Sequence, residues 1–343
     1  MKVSIIFLSY NHAGFVGDAL RSALNQDYPE YELIVHDNGS TDGTRQIIES
    51  ILAKEVPRHV RVVIAGDGIN HGLVEAFNRA MSASTGEILI HFSGDDISYS
   101  HRLSRSVEVF QKQPDVMLVV SEAHRIDNNR NFLTYTNYAP KNEMYSYVIE
   151  PKHIYAHSPI LGAAAAYRAC VIKNFNPIIP GFCHAEDNVY WVRALLLGKI
   201  YYIADSLLCY RLHLDNISEN EWKWRLGITD SLKASHLEFV RKHSLNFLQW
   251  EIDIQHARQK GYIDESRFAQ ALKTAKLDAM RWALIFNALS VEPWSAWFPL
   301  ALESIKCGGL REFTNKLKLR LSERRRLRYW NTHAKYMAGR LTS

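Results

Sequence analysis

Apolar residues recur along the first 126 positions in two alternating rhythms. Val3 to Ser9 is a continuous apolar run, the pattern of a strand covered on both faces. Gly14 to Asn25 then shows helical spacing, and Tyr31 to His36 is a second strand. A helix capped by Thr41 or Asp42 is expected up to about Lys54. Val60 to Ala65, Glu87 to Phe92 and Val116 to Ser121 read as further strands, and Leu73 to Ala83 and Ser100 to Lys112 as helices between them. Strand and helix alternating in this way predict an α/β fold, a mostly parallel central sheet with helices on both faces. After Asn128 the alternation fails. Asn131 to Ile149 is rich in Tyr and Asn and suits a hairpin or irregular segment, and Ile160 to Cys170 is small and apolar. Gly181 to Asp187 reads as a loop, Asn188 to Leu197 as a helix, and Ile200 to Ala204 and Leu207 to Leu212 as short strands. From about Ser218 the pattern is helical and aromatic-rich, so a domain of residues 1–216 and a helical region of 217–343 are expected.

The polar residues that break these strands are unevenly chosen. Glu87 to His91 runs into Ser93-Gly94-Asp95-Asp96, two adjacent carboxylates just past a strand's carboxyl end. Open α/β sheets bind ligands in the crevice outside those ends. Like charges in contact raise one pKa unless a cation neutralises them. Mg²⁺ or Mn²⁺ suits carboxylate oxygen and brings phosphates with it. A solvated turn with one Asp capping the next helix is the competing reading. Tyr31 to His36 ends similarly, in Asp37-Asn38-Gly39-Ser40-Thr41-Asp42-Gly43. An Asx-type turn accounts for Asp42 there but does not require a charge at Asp37.

Taken together, VSIIFLSYN, SALNQDYPEYELIVHDNGSTDGT and NHGLVEAFNRAMSASTGEILIHFSGDD resemble the N-terminal half of a family 2 glycosyltransferase. GAAAAYR at Gly162 to Arg168, HAEDNVYWVRALLLGK at His184 to Lys199 and CYRLHLDNIS at Cys209 to Ser218 continue the likeness in the same order. The resemblance covers about residues 1–218 and implies a GT-A fold, Rossmann-like, followed by a helical C-terminal extension. It implies that Asp37 holds the nucleotide base and that Ser9, Asn11, Asn38, Gly39, Asn70, Gly72 and Asn78 line the donor site. By the same resemblance Asp95 and Asp96 bind ribose and a Mn²⁺ or Mg²⁺ ion on the diphosphate, and His213 completes the metal or diphosphate site. Asp187 is implied as catalytic base with Glu186 beside it, and Arg211 as a group neutralising the leaving phosphate. Two positions depart from the family's pattern. Ser93 stands where the family often has Asp, leaving the metal site one carboxylate short, and Asn38 replaces the second acidic residue of the nucleotide loop.

The chemistry is consistent with those roles. A nucleoside diphosphate leaves with charge growing on its β-phosphate, which a divalent ion stabilises. The acceptor hydroxyl needs a positioned base, typically contributing roughly 10²–10⁴-fold. The residues alone leave other readings open: Glu186-Asp187 as charges complementing a helix dipole, His213 as a packed histidine, and Trp222 and Trp224 as packing or a sugar platform. The expected function is inverting transfer of a sugar, from a UDP- or dTDP-sugar, to a saccharide or lipid-linked saccharide acceptor in polysaccharide assembly. The alternatives are a nucleotidyltransferase, which normally carries a Gly-rich basic loop after the first strand, and a non-catalytic sugar-nucleotide-binding or membrane scaffold protein.

Charge adds one element to this picture. The net charge is +5, but Leu310 to Ser343 carries ten Lys/Arg against two Asp/Glu, leaving the rest of the chain near −3. From about Lys306 the basic residues alternate with leucines, which suits an amphipathic helix on an anionic membrane surface. No nucleic-acid recognition motif accompanies the charge, so nucleic acid is not an expected partner. The four cysteines lack the paired spacing of a zinc site or disulfide framework. With no signal-peptide pattern, the expectation is a cytoplasmic protein, peripheral on the inner face of the membrane.

Overall fold

The computed structural model describes residues 1–136, 142–145, 161–183, 186–213, 216 and 232–276. The first strand, β1 (Val3–Ser9), is buried along its whole length, as its unbroken apolar run requires. β2 (Tyr31–Asp37) and β4 (Ile88–Ser93) flank it in parallel, and β3 (Val60–Ile64) adds to β2. On the other side lie β6 (Val116–Ile126) and β10 (Lys199–Arg211), parallel to each other. Between β4 and β6 runs β9 (Ala165–Arg168), antiparallel to both. Inserting one reversed strand keeps β4 and β6 pointing the same way. The carboxyl ends of β1, β2, β4, β6 and β10 therefore open on one edge. The sheet order is β3-β2-β1-β4-β9-β6-β10-β5, with β5 (Ile97–Ser98), β7 (Phe132–Tyr135) and β8 (Glu143–Tyr145) as short antiparallel additions.

Helices cover both faces, and alternate residues of β1 show the division. Ile5 and Phe7 join one core with α1 (Val16–Leu24), α2 (Thr44–Glu55) and α4 (Arg102–Lys112). Ile6 and Leu8 join the other with α3 (Leu73–Ala83). The second core also contains α5 (Cys170–Lys173) and α6 (Glu186–Leu197). It continues through α7 (Leu232–Gln259) and the helix over residues 265–276, whose Trp250, Ile254, Phe268 and Ala271 are buried in the same cluster as Tyr190.

Several expectations are corrected in detail. The two short strands at Ile200–Ala204 and Leu207–Leu212 are one strand, β10, whose pairing shifts register between Ile203 and Ser206. The polar residues Asp205 and Ser206 at that irregularity mimic a strand break in the sequence. β6 extends past Ser121 to Ile126 because the polar residues Glu122 and His124 are accommodated within it. α6 begins at Glu186, two residues before its expected start. His184, Trp222, Trp224, most of the Asn131–Ile149 segment beyond β7 and β8, and the basic tail lie outside the described residues.

Candidate active site

Each strand end on the carboxyl edge delivers a polar loop, and hydrogen bonds tie these loops together. Asp37, the last residue of β2, accepts from Ser9 Oγ at 3.2 Å and from Ser40 N at 3.1 Å, and also from Ser40 Oγ. Asn11 Oδ1 accepts from Thr41 N at 2.9 Å, joining the loop after β1 to the loop after β2. Asn38 donates to Asn70 Oδ1 at 3.2 Å and accepts from His71 N at 3.1 Å. Asn70 also accepts from Gly72 N, where α3 begins. Gly39 sits at φ +73°, and a Cβ there would lie 2.5 Å from Asn70 N, so only glycine allows the two loops to pack. Ser9, Asn11, Asp37, Asn38, Gly39, Asn70 and Gly72 thus meet in one continuous rim. Asn78 does not join it. Its amide donates to Ile178 O at 2.8 Å and accepts from Ile178 N at 3.2 Å, so both polar atoms clamp a neighbouring loop.

A second group forms beyond β4. Asp95 Oδ2 lies 3.0 Å from His213 Nε2 and 3.7 Å from His12 Nε2, and the three donor atoms all fall within 4.8 Å of one another. Burial pushes the Asp95 pKa up, but the hydrogen bond from His213 and the charges of His12 and His213 outweigh it. The carboxyl is held below its ordinary value. Two imidazole nitrogens and one carboxylate oxygen this close fit a divalent first-row metal ion. His12 was not among the residues singled out from sequence. It sits in a polar loop at a strand's carboxyl end, which was the available signal. Asp96, expected on the metal, is not part of this cluster. Its Oδ1 accepts from Arg211 N at 2.8 Å, and Oδ2 is buried with no hydrogen-bond partner among the described residues. Burial and the neighbouring Asp95 raise its pKa well above the carboxylate range.

Arg211 also departs from expectation. It is 1% exposed, and its guanidinium donates to the carbonyls of Asp95, Asp127 and Asn128 at 2.8, 3.1 and 2.8 Å. The same group lies over the Phe15 ring, 4.8 Å from its centroid. These contacts through Nε and Nη1 make Arg211 a clamp on the loops after β4 and β6.

The third group is a pair of acids in the first turn of α6. Asp187 Oδ1 accepts from Asn188 N at 2.7 Å and Asn188 Nδ2 at 3.1 Å, and its side chain packs against Gly162. The Gly162 carbonyl accepts from His91, four residues before Asp95, which ties the acid pair to β4. Burial pushes the Asp187 pKa up to about 6, against hydrogen bonds from the backbones of Asn188 and Gly162. Glu186 is pushed further, to about 8, by burial and by the charge on Asp187. Its Oε2 is buried with no hydrogen-bond partner among the described residues. Both acids are therefore harder to ionise than free carboxylic acids, Glu186 more so than Asp187.

A sheet whose long ladders are parallel thus carries a polar rim, a cluster of two histidines and a carboxylate, and a half-buried carboxylate along one edge. The profile described as Glycosyl transferase family 2 matches residues 4–169. An uncharacterized glycosyltransferase of Nostoc sp. is 31% identical over 241 residues, spanning 66% of this chain and 72% of that protein. The chain belongs to glycosyl transferase family 2. It is also 26% identical over 228 residues to the Escherichia coli protein UDP-Glc:alpha-D-GlcNAc-diphosphoundecaprenol beta-1,3-glucosyltransferase WfgD. That match covers 64% of this chain and 81% of WfgD. Among solved structures, Staphylococcus aureus TarS 1–349 in complex with UDP-GlcNAc superimposes with a TM-score of 0.55 at 19% identity, over 95% of this chain and 92% of TarS 1–349. That likeness establishes the shared fold. Among the described residues no helix is long and apolar enough to cross a membrane.

Proposed function

We propose that the protein transfers a sugar from a nucleoside-diphosphate donor to a saccharide hydroxyl, inverting the anomeric centre. The observation that carries this reading is Asp187, a half-buried carboxylate raised to about 6 and fixed by its neighbour's amide beside the strand that leads to Asp95. A base so tuned takes the acceptor's proton near neutral pH. The rim from Ser9 to Gly72 is the donor's place, with Asp37 and Asn38 toward the base and ribose. Asp95 and His213 would hold a Mn²⁺ or Mg²⁺ ion, which supplies positive charge against the departing diphosphate. Arg211 acts one step back, holding the Asp95–Asp96 loop in place.

WfgD takes UDP-Glc and a diphosphoundecaprenol-linked acceptor, as its name states. By analogy we assign this chain a UDP-sugar donor and a lipid-linked saccharide acceptor in surface-polysaccharide assembly. The test is a comparison of the parent with Asp187→Asn, using UDP-sugars and measuring donor binding and transfer separately. The variant is expected to bind UDP with unchanged affinity and to lose transfer by at least about a hundredfold. Transfer at parental rate would remove Asp187 from the base role. A thermal shift by UDP that Mn²⁺ enhances is expected, and a shift by neither would remove the donor assignment.

A further inference from the structure

The loop after β4 offers one carboxylate, that of Asp95, to the cluster with His213, and the fold brings the loop after β1 against it. β1 and β4 are neighbours, with Leu8 opposite Ser93. Gly94 N donates to Leu8 O at 2.7 Å, so the chain after β4 stays against the chain leaving β1. A Cβ on Gly94 would lie 2.9 Å from His12 Nδ1 and 2.7 Å from the Ser9 Cβ. The glycine is what lets His12 come this close. His12 N donates to Thr44 Oγ1 at 2.8 Å, and its carbonyl accepts from Phe15 and Val16 at the start of α1. The residue is therefore anchored from both sides. Its ring stands nearly perpendicular to that of His213, centroids 6.0 Å apart, while Phe15 packs on His213 at 4.9 Å.

From this placement, we infer that His12 is a third protein ligand of the metal, giving a two-histidine, one-carboxylate site that binds a transition ion before the donor arrives and discriminates against Mg²⁺. The inference rests on the proposed metal role of Asp95 and His213 and extends it. Donor atoms around one first-row ion lie roughly 3–4 Å apart, and the observed set needs only a small closure to reach that spacing. Mg²⁺ demands oxygen ligands and keeps its waters, whereas imidazole suits the later first-row ions. Two nitrogens in a set of three turn the preference away from Mg²⁺. A site with one carboxylate and few waters would otherwise depend on donor phosphates to hold any ion.

The experiment uses the full-length protein without nucleotide. Mn²⁺ binding is followed by electron paramagnetic resonance, with Co²⁺ and Mg²⁺ titrated in parallel. The expected affinity order is Co²⁺ above Mn²⁺ above Mg²⁺. His12→Gln is expected to weaken Mn²⁺ binding roughly tenfold or more, the scale for disturbed metal sites. Spin-echo modulation counts coordinated imidazoles and should fall from two to one, a change that a merely structural role for His12 does not produce. Gly94→Ala, with His12 intact but displaced, should weaken Mn²⁺ in the same direction. If Asp95→Asn abolishes binding while His12→Gln leaves affinity and imidazole count unchanged, this inference falls and the metal reading stands. If Asp95→Asn also binds like the parent, both fall.

Discussion

Asp187 and Glu186 are chain neighbours: desolvation raises both, and the charge on Asp187 raises Glu186 further. If Asp187 is the base, kcat at saturating donor and Mn²⁺ should fall about tenfold per pH unit below about 6, where Asp187 takes up its proton. A flat rate from pH 7 to 5 would exclude the assignment. Glu186 makes a separate prediction about stability. Folded Glu186 holds its proton up to about 8, while an unfolded glutamate releases it near its ordinary value of 4.5. Across that window the folded state binds more protons, so its stability is full below the unfolded value and declines as pH rises towards 8. Glu186→Gln keeps the shape and removes the titration. Its Tm advantage over the parent should grow from pH 5 to 8 by about a few degrees. Parallel Tm curves for the two proteins would show that the burial of Glu186 carries no such cost.

At the level of elements, α6 carries the acid pair and is held from behind by α7. Arg193 and Asp253 join them at 2.7 and 3.0 Å, each side chain 1% exposed, with Gln249 bonded to the same carboxylate. Arg193 also donates to Asn176 O and lies over the Phe175 ring. Removing one partner strands a buried charge, so Asp253→Ala should cost about 3–5 kcal/mol in denaturant unfolding, while Arg193→Met with Asp253→Leu should recover much of it. A loss under 1 kcal/mol would show that α7 is not needed to seat α6. This pair also marks the limit of the sequence. β1, β2 and β4 were legible because strands buried on both faces read as largely apolar runs, interrupted by Glu32 and His36 in β2 and His91 in β4. β9 was not, since four residues of Ala-Ala-Tyr-Arg carry no periodicity and their direction is set by the neighbours they join. Asp37 and Asp95 stood out because carboxylates at strand ends are unusual company for a core, whereas Asp187, an ordinary acid at a helix start, was singled out only by the resemblance to family 2 glycosyltransferases. His12 did not, because its meaning lies in the register of β1 against β4. Asn78 and Arg211 were polar residues in familiar places, and only the structure shows that their side chains bond to backbone carbonyls and amides of neighbouring loops.

For the molecule as a whole the question is where it works, and charge is the property that bears on it. The body is near −3 and the last 34 residues near +8, within a total of +5. A negative body is repelled by an anionic leaflet, so a tail of this sign has to supply the attraction alone. WfgD, a relative, is named for a diphosphoundecaprenol-linked acceptor, and such an acceptor is confined to a membrane. An enzyme held at that surface meets it by diffusion in two dimensions. We therefore expect the full-length protein to sediment with vesicles containing anionic lipid and to stay in solution with neutral ones. Arg324, Arg325 and Arg326 are consecutive, and each basic residue near such a surface contributes about 1 kcal/mol. Replacing all three with Gln should weaken partitioning by about a hundredfold at low salt, while transfer to a soluble acceptor is unchanged. Raising the salt should erase the difference, because the Debye length shrinks to about 3 Å at 1 M. Equal sedimentation of parent and triple variant would mean that these arginines serve the protein's own packing, and that the acceptor is met from solution.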